Sequence, residues 1–509
     1  MVLCTIDNLK INHYFTAAYA AERGNIMTVT QGILSWAIIT SMIAGGIGSA
    51  TPENPDGETD TPIVDSTADN LPDYDFSGKE FRIFNGAAQN ESSFWNIDEL
   101  TGDVLDDAIY HRNKAISERF NVKIVEQRLA EDASLDAAQY IMTTVLAGDP
   151  VSDIADIDIA ASRNLATIGC LLNLYDVPYI DFDKDYWDID LMNDLAFGDK
   201  LFYALSAANL DSYASTHLLA FNKDIEEKYG ISKYSLNADS LYQLVLDGKW
   251  TLDNFYAASS IVAADINGDA LMTEADQYGY LAGRSDMLAG MYIGAGLETI
   301  SRADDGKFEL AAGGLDRFST LFDALKSNFV SNYFHYDDEK AALSEMFALG
   351  RGLFCDVTLG DLETMREIQF DFGFLPYPKL DETQPDYISR VESCNATIIP
   401  VYCMDIEFVG IMLEAFASQS YKETLPAYYD VAMIMKYTRD EPSSEMLDIV
   451  TGSRTFDLGD AVYGNLVRDK LCEGLYSSEI AKFEDLLAIY GEEVETYLGK
   501  VNDMIANMR

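Results

Sequence analysis

Positive charge is the scarcest commodity in this sequence. Only 35 Lys and Arg face 85 Asp and Glu over 509 residues, a formal net charge of −50. Phosphate binding needs clustered cations, so nucleic acid is excluded as a partner, and the long-range field repels anionic surfaces and anionic ligands. A neutral or cationic small ligand suits that field. Histidine is nearly absent, with 4 residues (His13, His111, His217, His335), none at metal-ligand spacing to another. No GxSxG elbow, HExxH, P-loop or strand-following GxGxxG occurs, so no nucleophile, zinc or nucleotide constellation can be named. The 6 cysteines, Cys4, Cys170, Cys355, Cys394, Cys403 and Cys472, show no CxxC and read as free thiols, not as a disulfide framework. Continuous apolar runs long enough to cross a bilayer are missing as well.

Apolar residues are plentiful, at 48%, with 30 Tyr and 25 Phe. A chain of this length and composition builds substantial cores in two or three domains. Near the start, "ILSWAIITSMIA" (Ile33–Ala44) followed by "GGIGSA" has the build of a signal-peptide core, so residues 1–50 are expected to direct export, with cleavage after Ala50. "IAGG" is similar to a lipoprotein box in which Gly46 takes the place of the lipidated Cys, so no lipid anchor can attach there. Residues 51–75, rich in Pro, Asp, Thr and Gly, are expected to form a flexible acidic linker.

Beyond it, "GKEFRIF" reads as a strand and "DVLDDAIYHRNKAISERF" as an amphipathic helix. "NVKIVEQ", "ASLDAAQYIMTTVLAG" and "DIADIDIA" continue as strand, helix and strand. That alternation predicts an α/β fold built on an open sheet. Downstream, helical patterns dominate, broken by short strands.

"ADINGDALMTEADQYG" (264–279) places Asp265, Asn267 and Asp269 at positions 1, 3 and 5 of a calcium loop. Leu271 offers its carbonyl at position 7, Thr273 stands at 9 and Asp276 closes at 12. The closing Asp and Gly268 resemble the dockerin form of the loop. Ala270 holds position 6, where Gly usually takes the positive-φ turn, at a cost of roughly 1 kcal/mol. A single copy suits a structural Ca2+ site and not a switching pair. The alternative is a solvated acidic turn.

Four stretches taken together resemble the extracellular solute-binding proteins of sugar-type ABC importers (family 1-like, Firmicutes type). They are "LLAFNKDIEEKYGI" (218–231), "DGKWTLDNF" (247–255), "ALGRGLFCDVTLGDLETMR" (348–366) and, most specifically, "FDFGFLPYPKLDETQPDY" (370–387). The resemblance implies a two-lobed periplasmic-binding-protein-like (class II) fold with a multi-strand hinge and a helix-rich second lobe. Lobe 1 is expected over 76–210 plus 357–395, and lobe 2 over 211–356 plus 396–509.

It also implies capture of a carbohydrate in the cleft by lobe closure, delivery to ABC transporter permease subunits, action as an extracellular monomer, and no enzyme activity. Sugar sites combine an aromatic face with carboxylates and amides that read hydroxyls. Trp95, with Asn96 and Asp98 beside it in "SSFWNIDE", is the lobe 1 candidate, and Trp187 in "DKDYWDID" is a second platform candidate. Asp211 and Tyr213 are expected near the first hinge crossing, where Ala208-Asn209 departs from the family's usual Gly-Asp. Asp356 and Thr358 are expected at the second crossing, and Tyr292 in "GMYIGAG" completes the set of ligand-binding candidates. Trp250 is assigned to packing. Two other functions fit the residues less directly: a secreted carbohydrate-active enzyme using a carboxylate pair, and a non-catalytic surface adhesin.

Overall fold

The computed structural model describes residues 67–509 apart from 89–93, 131–134, 304, 312–314, 330–332, 338, 430–440 and 508–509. The expected export signal, Gly46 and most of the acidic linker lie outside the described residues. The linker ends earlier than expected. By Leu71 the chain is already buried, Asp69 pairs with Arg119, and the Phe76 amide donates to the Phe120 carbonyl.

Strand β1 (Lys79–Asn85) alternates polar and apolar residues and buries Phe81 and Ile83. Helix α1 (Val104–Phe120) starts where Asp103 accepts the amides of Leu105 and Asp106, and ends at Asn121 with φ 49°. It returns the chain to β2 (Val122–Gln127), parallel to β1 with Phe81 opposite Ile124. Helix α2 (Ala137–Ala147), capped by Asp136, leads to β3 (Ile154–Asp158) on the other side of β1, with Ile83 opposite Ile154. Helix α3 (Ile159–Thr167) follows directly, its Ala161 amide capped by Asp158.

A second sheet is built from β4 (His217–Asn222), β5 (Tyr278–Ala282), β6 (Phe334–Tyr336), β7 (Gly352–Thr358) and β8 (Phe372–Leu375), in the order β8-β4-β7-β5-β6. Strand β4 runs antiparallel to both its neighbours, and β5 is parallel to β6 and β7. The chain then rejoins the first sheet as β9 (Asn395–Ile398), antiparallel to β3, giving the order β9-β3-β1-β2. Trp250 is fully buried beneath the second sheet and donates its indole N–H to the Pro376 carbonyl at 3.0 Å.

The lobe boundaries expected from the sequence need correction. Residues 357–388 belong with the second sheet: β8 pairs with β4, and Lys379 bridges Thr251. Residues 396–429 belong with the first. Helix α4 (Ile406–Lys422) lies on it, with Phe408 and Phe416 against Phe81 and Lys79 paired with Asp405. Two crossings therefore fall at 209–216 and 389–394, and the chain is back in the second lobe by Glu441–Thr451, a helix that packs on β8. They run side by side, Thr216 bridging Val391 and the Glu392 amide donating to the Ser215 carbonyl.

Helix α4 is apolar on almost every face because it is covered on both sides. Gly410 lets it touch the Pro178 carbonyl, which a Cβ would meet at 1.9 Å. Its one buried acid, Glu414, accepts from the Tyr186 hydroxyl and from the Trp187 indole at 2.9 Å. The cysteines among the described residues are free. No helix there is long and apolar enough to cross a membrane.

Candidate binding cavity

A cavity of about 440 Å³ opens at the carboxyl ends of β1 and β3, where the first crossing passes. Its walls are Asn85, Gly86, Ala87, Ala88, Phe94, Trp95, Asp156, Asp211 and Asn395. Ligands of open α/β sheets bind at this end of the strands, where backbone turns leave room. Gly86 makes the turn possible: its amide donates to the Asp156 carbonyl at 2.7 Å, and a Cβ would lie 3.0 Å from that oxygen. Asn85 then holds the loop, accepting the Ala87 amide and donating to Glu126 at 3.0 Å. The Trp95 loop is pinned from behind, its carbonyl accepting from Arg112 and Asn113, each at 2.8 Å.

Asp156 is the electrostatic centre. Burial foremost, with nearby Asp211 adding to it, holds its carboxyl up at about 7 against donation from Trp95, Thr397 and Asn209. Asn209 donates to Asp156 at 3.2 Å and to Thr397 at 2.9 Å. An Asp at 209 would set a third carboxylate here and supply no donor. Asp211 accepts the Asn395 amide at 2.7 Å, joining the two crossings at the cavity wall.

Of the residues named from the sequence, the cavity gathers Trp95 and Asp211. Asn96 and Asp98 stand outside it, hydrogen-bonded to one another at 3.0 Å, with Asn96 also accepting from Asn113. Trp187 is buried against Glu414 and forms no platform. Tyr213 lies beneath the Arg454 guanidinium, 3.8 Å from its ring centroid. Tyr292 is fully buried in the second lobe and donates to Asp457 at 2.9 Å. Thr358 ends β7 within the second lobe, not at a crossing, and bonds Asp361 at 2.9 Å. Asp356, also in β7, pairs with His217 at 3.0 Å and accepts from Tyr377 at 2.6 Å. Sequence reasoning missed Asn85, Asp156 and Asn395; Asn85 closes β1, a polar residue ending an apolar strand, whereas Asp156 lies inside β3 and Asn395 opens β9, positions with no local signal.

The His217 cluster lies at the carboxyl end of the second sheet. Burial would lower the imidazole, but the carboxylates of Asp356 and Glu392 outweigh it and hold it up at about 9. His217, Asp286 and Glu392 converge as a metal site's ligands would. Their cation is instead supplied by the protein, since Arg390 Nη1 sits 3.0 Å from both His217 Nε2 and Asp286.

The calcium-like loop is exposed on the second lobe. Asp265 accepts the amides of Gly268 and Ala270, and Asp269 accepts that of Leu271. Asp276, held below the usual carboxylate range by the Thr273 amide, closes the loop. Ala270 takes the positive-φ position at 66°, as the loop numbering requires. Thr273 and Asn267 bond within the loop.

No protein-family model matches the chain, and no curated protein matches it in sequence. Solved structures do. An ABC substrate-binding protein from Listeria monocytogenes in complex with cycloalternan superposes with a TM-score of 0.51 at 12% identity, over 83% of this chain and 99% of that one. A cyclo/maltodextrin-binding protein complexed with maltotetraose gives 0.52 at 12% identity, over 84% and 97%. An ABC transporter associated binding protein from B. animalis subsp. lactis in complex with beta-1,6-galactobiose gives 0.51 at 12% identity, over 84% and 98%. The chain has the fold of the two-lobed solute-binding proteins. In that fold, the cavity beside Asp156 sits at the sheet end next to the crossings.

Proposed function

We propose that this protein captures a carbohydrate, an oligosaccharide, by lobe closure and delivers it to the permease subunits of an ABC importer, working outside the cell as a monomer and without covalent chemistry. The observation that carries this reading is the cavity where the crossings meet the first sheet, with Trp95 and Phe94 as an apolar wall and Asn85, Asp156, Asp211 and Asn395 as polar readers. Aromatic faces pack on sugar C–H groups and carboxylates and amides order the hydroxyls. Structures of the same fold solved with cycloalternan, maltotetraose and beta-1,6-galactobiose support it. The test is thermal denaturation against mono- and oligosaccharides. A guest at about 100 times its Kd adds about 2.7 kcal/mol, a rise in Tm of a few degrees. A full panel that leaves Tm unmoved sinks the reading.

One observation favours a second reading, a carbohydrate-active enzyme. Asp156 keeps its proton to about 7 beside a second carboxylate, Asp211, as an acid and its partner do in glycoside hydrolysis. Sustained turnover of a chromogenic glycoside, abolished in Asp156→Asn, would replace binding with catalysis.

The loop of Asp265, Asn267, Asp269, Leu271, Thr273 and Asp276 would hold a structural Ca2+ in this scheme. Its donors are all hard oxygens, the type that cation takes. Adding calcium should raise Tm and EGTA reverse the change, with Asp265→Ala insensitive to both. Equal melting of the parent chain in calcium and in EGTA would discard the site.

A further inference from the structure

Taking lobe closure from the proposed reading as its base, we infer that a lobe-to-lobe contact beyond the crossings holds the cleft open, so that a guest must break it to shut the lobes. The contact joins residues 188–198 of the first lobe to a hairpin of the second, Ile300–Arg302 with Phe308–Leu310, and to residues 455–463. Asp194 accepts the Thr455 hydroxyl at 2.8 Å and the Phe456 amide at 3.0 Å. Arg302 donates to the carbonyls of Asp194 and Ala196, the latter at 3.1 Å. Phe308 packs on Phe197 with ring centroids 5.7 Å apart, and both rings are buried. Asn502 fixes the hairpin, exchanging two hydrogen bonds with the Phe308 backbone at 2.8 and 2.7 Å.

Position decides what this contact does. The second crossing enters the first sheet at Asn395, the start of β9 and a wall of the cavity. From β9 the cavity lies on the side of β3 and β1. On the opposite side the layer continues through Leu171 and Ala204, bridged to Pro400 and Thr397, and the chain between them carries residues 188–198. The entry point thus stands between the cavity and the contact. The described walls of the cavity come from the first lobe and the crossings, so the second lobe reaches a guest there by swinging over it. A rotation about the crossings that narrows one side widens the other, and here it lifts Phe308 off Phe197 and Thr455 off Asp194. The contact therefore weighs against closure. For a guest that needs the closed form, apparent affinity scales with the fraction of molecules already closed, so the strength of this contact sets it.

Small-angle scattering and amide exchange on the full chain, with no saccharide present, test this. Arg302→Ala cuts the bonds to the Asp194 and Ala196 carbonyls, and Phe308→Leu shrinks the buried ring. Circular dichroism checks that each variant folds. Both variants should have a lower radius of gyration than the parent. The amides of residues 86–88, at the cavity, should exchange roughly threefold slower or more as the second lobe covers them. A contact that only supports its own neighbourhood would speed exchange at 189–198 and leave the cavity amides and the radius unchanged, and that result overturns the inference. An expanded variant overturns it too, since the contact would then be a clamp on the closed form. Should Phe308→Leu fail to fold, Arg302→Ala, at a half-buried side chain, still decides. A saccharide panel that leaves Tm unmoved sinks carbohydrate capture without altering either of these readouts, so the two failures are told apart.

Discussion

At neutral pH the Asp156 carboxyl is near half-protonation in the folded chain, while in the unfolded chain it titrates at its ordinary value of 3.8. Between about pH 4 and 7 the folded state holds a proton that the unfolded state has released. The sign follows: this stabilising contribution is complete below about 4 and lost as pH rises through about 7. Asp156→Asn removes the dependence, so the variant should gain on the parent as pH climbs from 4 to 8, by an amount on the order of a few kcal/mol. Urea denaturation of both chains across that range measures it. Asp194 and Asp457, each pushed up to about 6 by burial, act in the same direction, so a gentler decline should persist in the variant. Parallel profiles for the two chains would show that Asp156 is not the group responsible.

Between elements, two contacts hold the lobes' parts together and each can be broken singly. His217 opens β4 and bonds Asp356 in β7 and Glu392 at the second crossing, at 3.0 and 3.3 Å. Its imidazole titrates at about 9 in the fold against 6.5 ordinarily, so the stability it adds is present below 6.5 and lost as pH rises through 9. His217→Gln removes the cation shared by two part-buried carboxylates and should cost roughly 3–5 kcal/mol at pH 6. Chemical denaturation at pH 6 and again at pH 10 should show the gap between the two chains narrowing. Gly410→Ala in α4 forces a Cβ onto the Pro178 carbonyl and should cost roughly 1–3 kcal/mol by the same measurement. These contacts also mark where sequence reasoning stops. Periodicity showed that α1, α2 and the first three strands exist, because it reports which face of an element is apolar. It cannot report partners. Strand β9 is only "NATI", four residues with no local sign that they pair with β3, and so its neighbour α4 was assigned to the other lobe. Trp187 read as a platform because its acceptor, Glu414, lies 227 residues away. Trp95 was legible as a loop aromatic after the first strand, and Asp211 only through the resemblance, which implies a crossing there. Asp156 was not, being one acid among 85.

For the whole molecule, the proposed coupling of guest to shape would run through Asp211. It lines the cavity and also accepts the Asn395 amide, so a guest seated there touches the place where these two crossings enter the first lobe. The two sheets are close-packed and resist deformation, so a change of lobe angle falls on the segments that join them, 209–216 and 389–394 among them. A ligand that contacts one lobe alone has no reason to favour the closed form, whereas one that meets both does. Saturation with a binding saccharide should therefore lower the radius of gyration in small-angle scattering. Amide exchange should slow in the two crossing segments and remain unchanged in β1, β4 and β7. Asp211→Ala, which cuts the link to Asn395, should weaken the compaction more than the affinity, because the cavity keeps its aromatic wall and its other carboxylate. Calorimetric binding with an unaltered scattering profile would mean that the first lobe binds alone and that the crossings are a fixed strut and not a hinge.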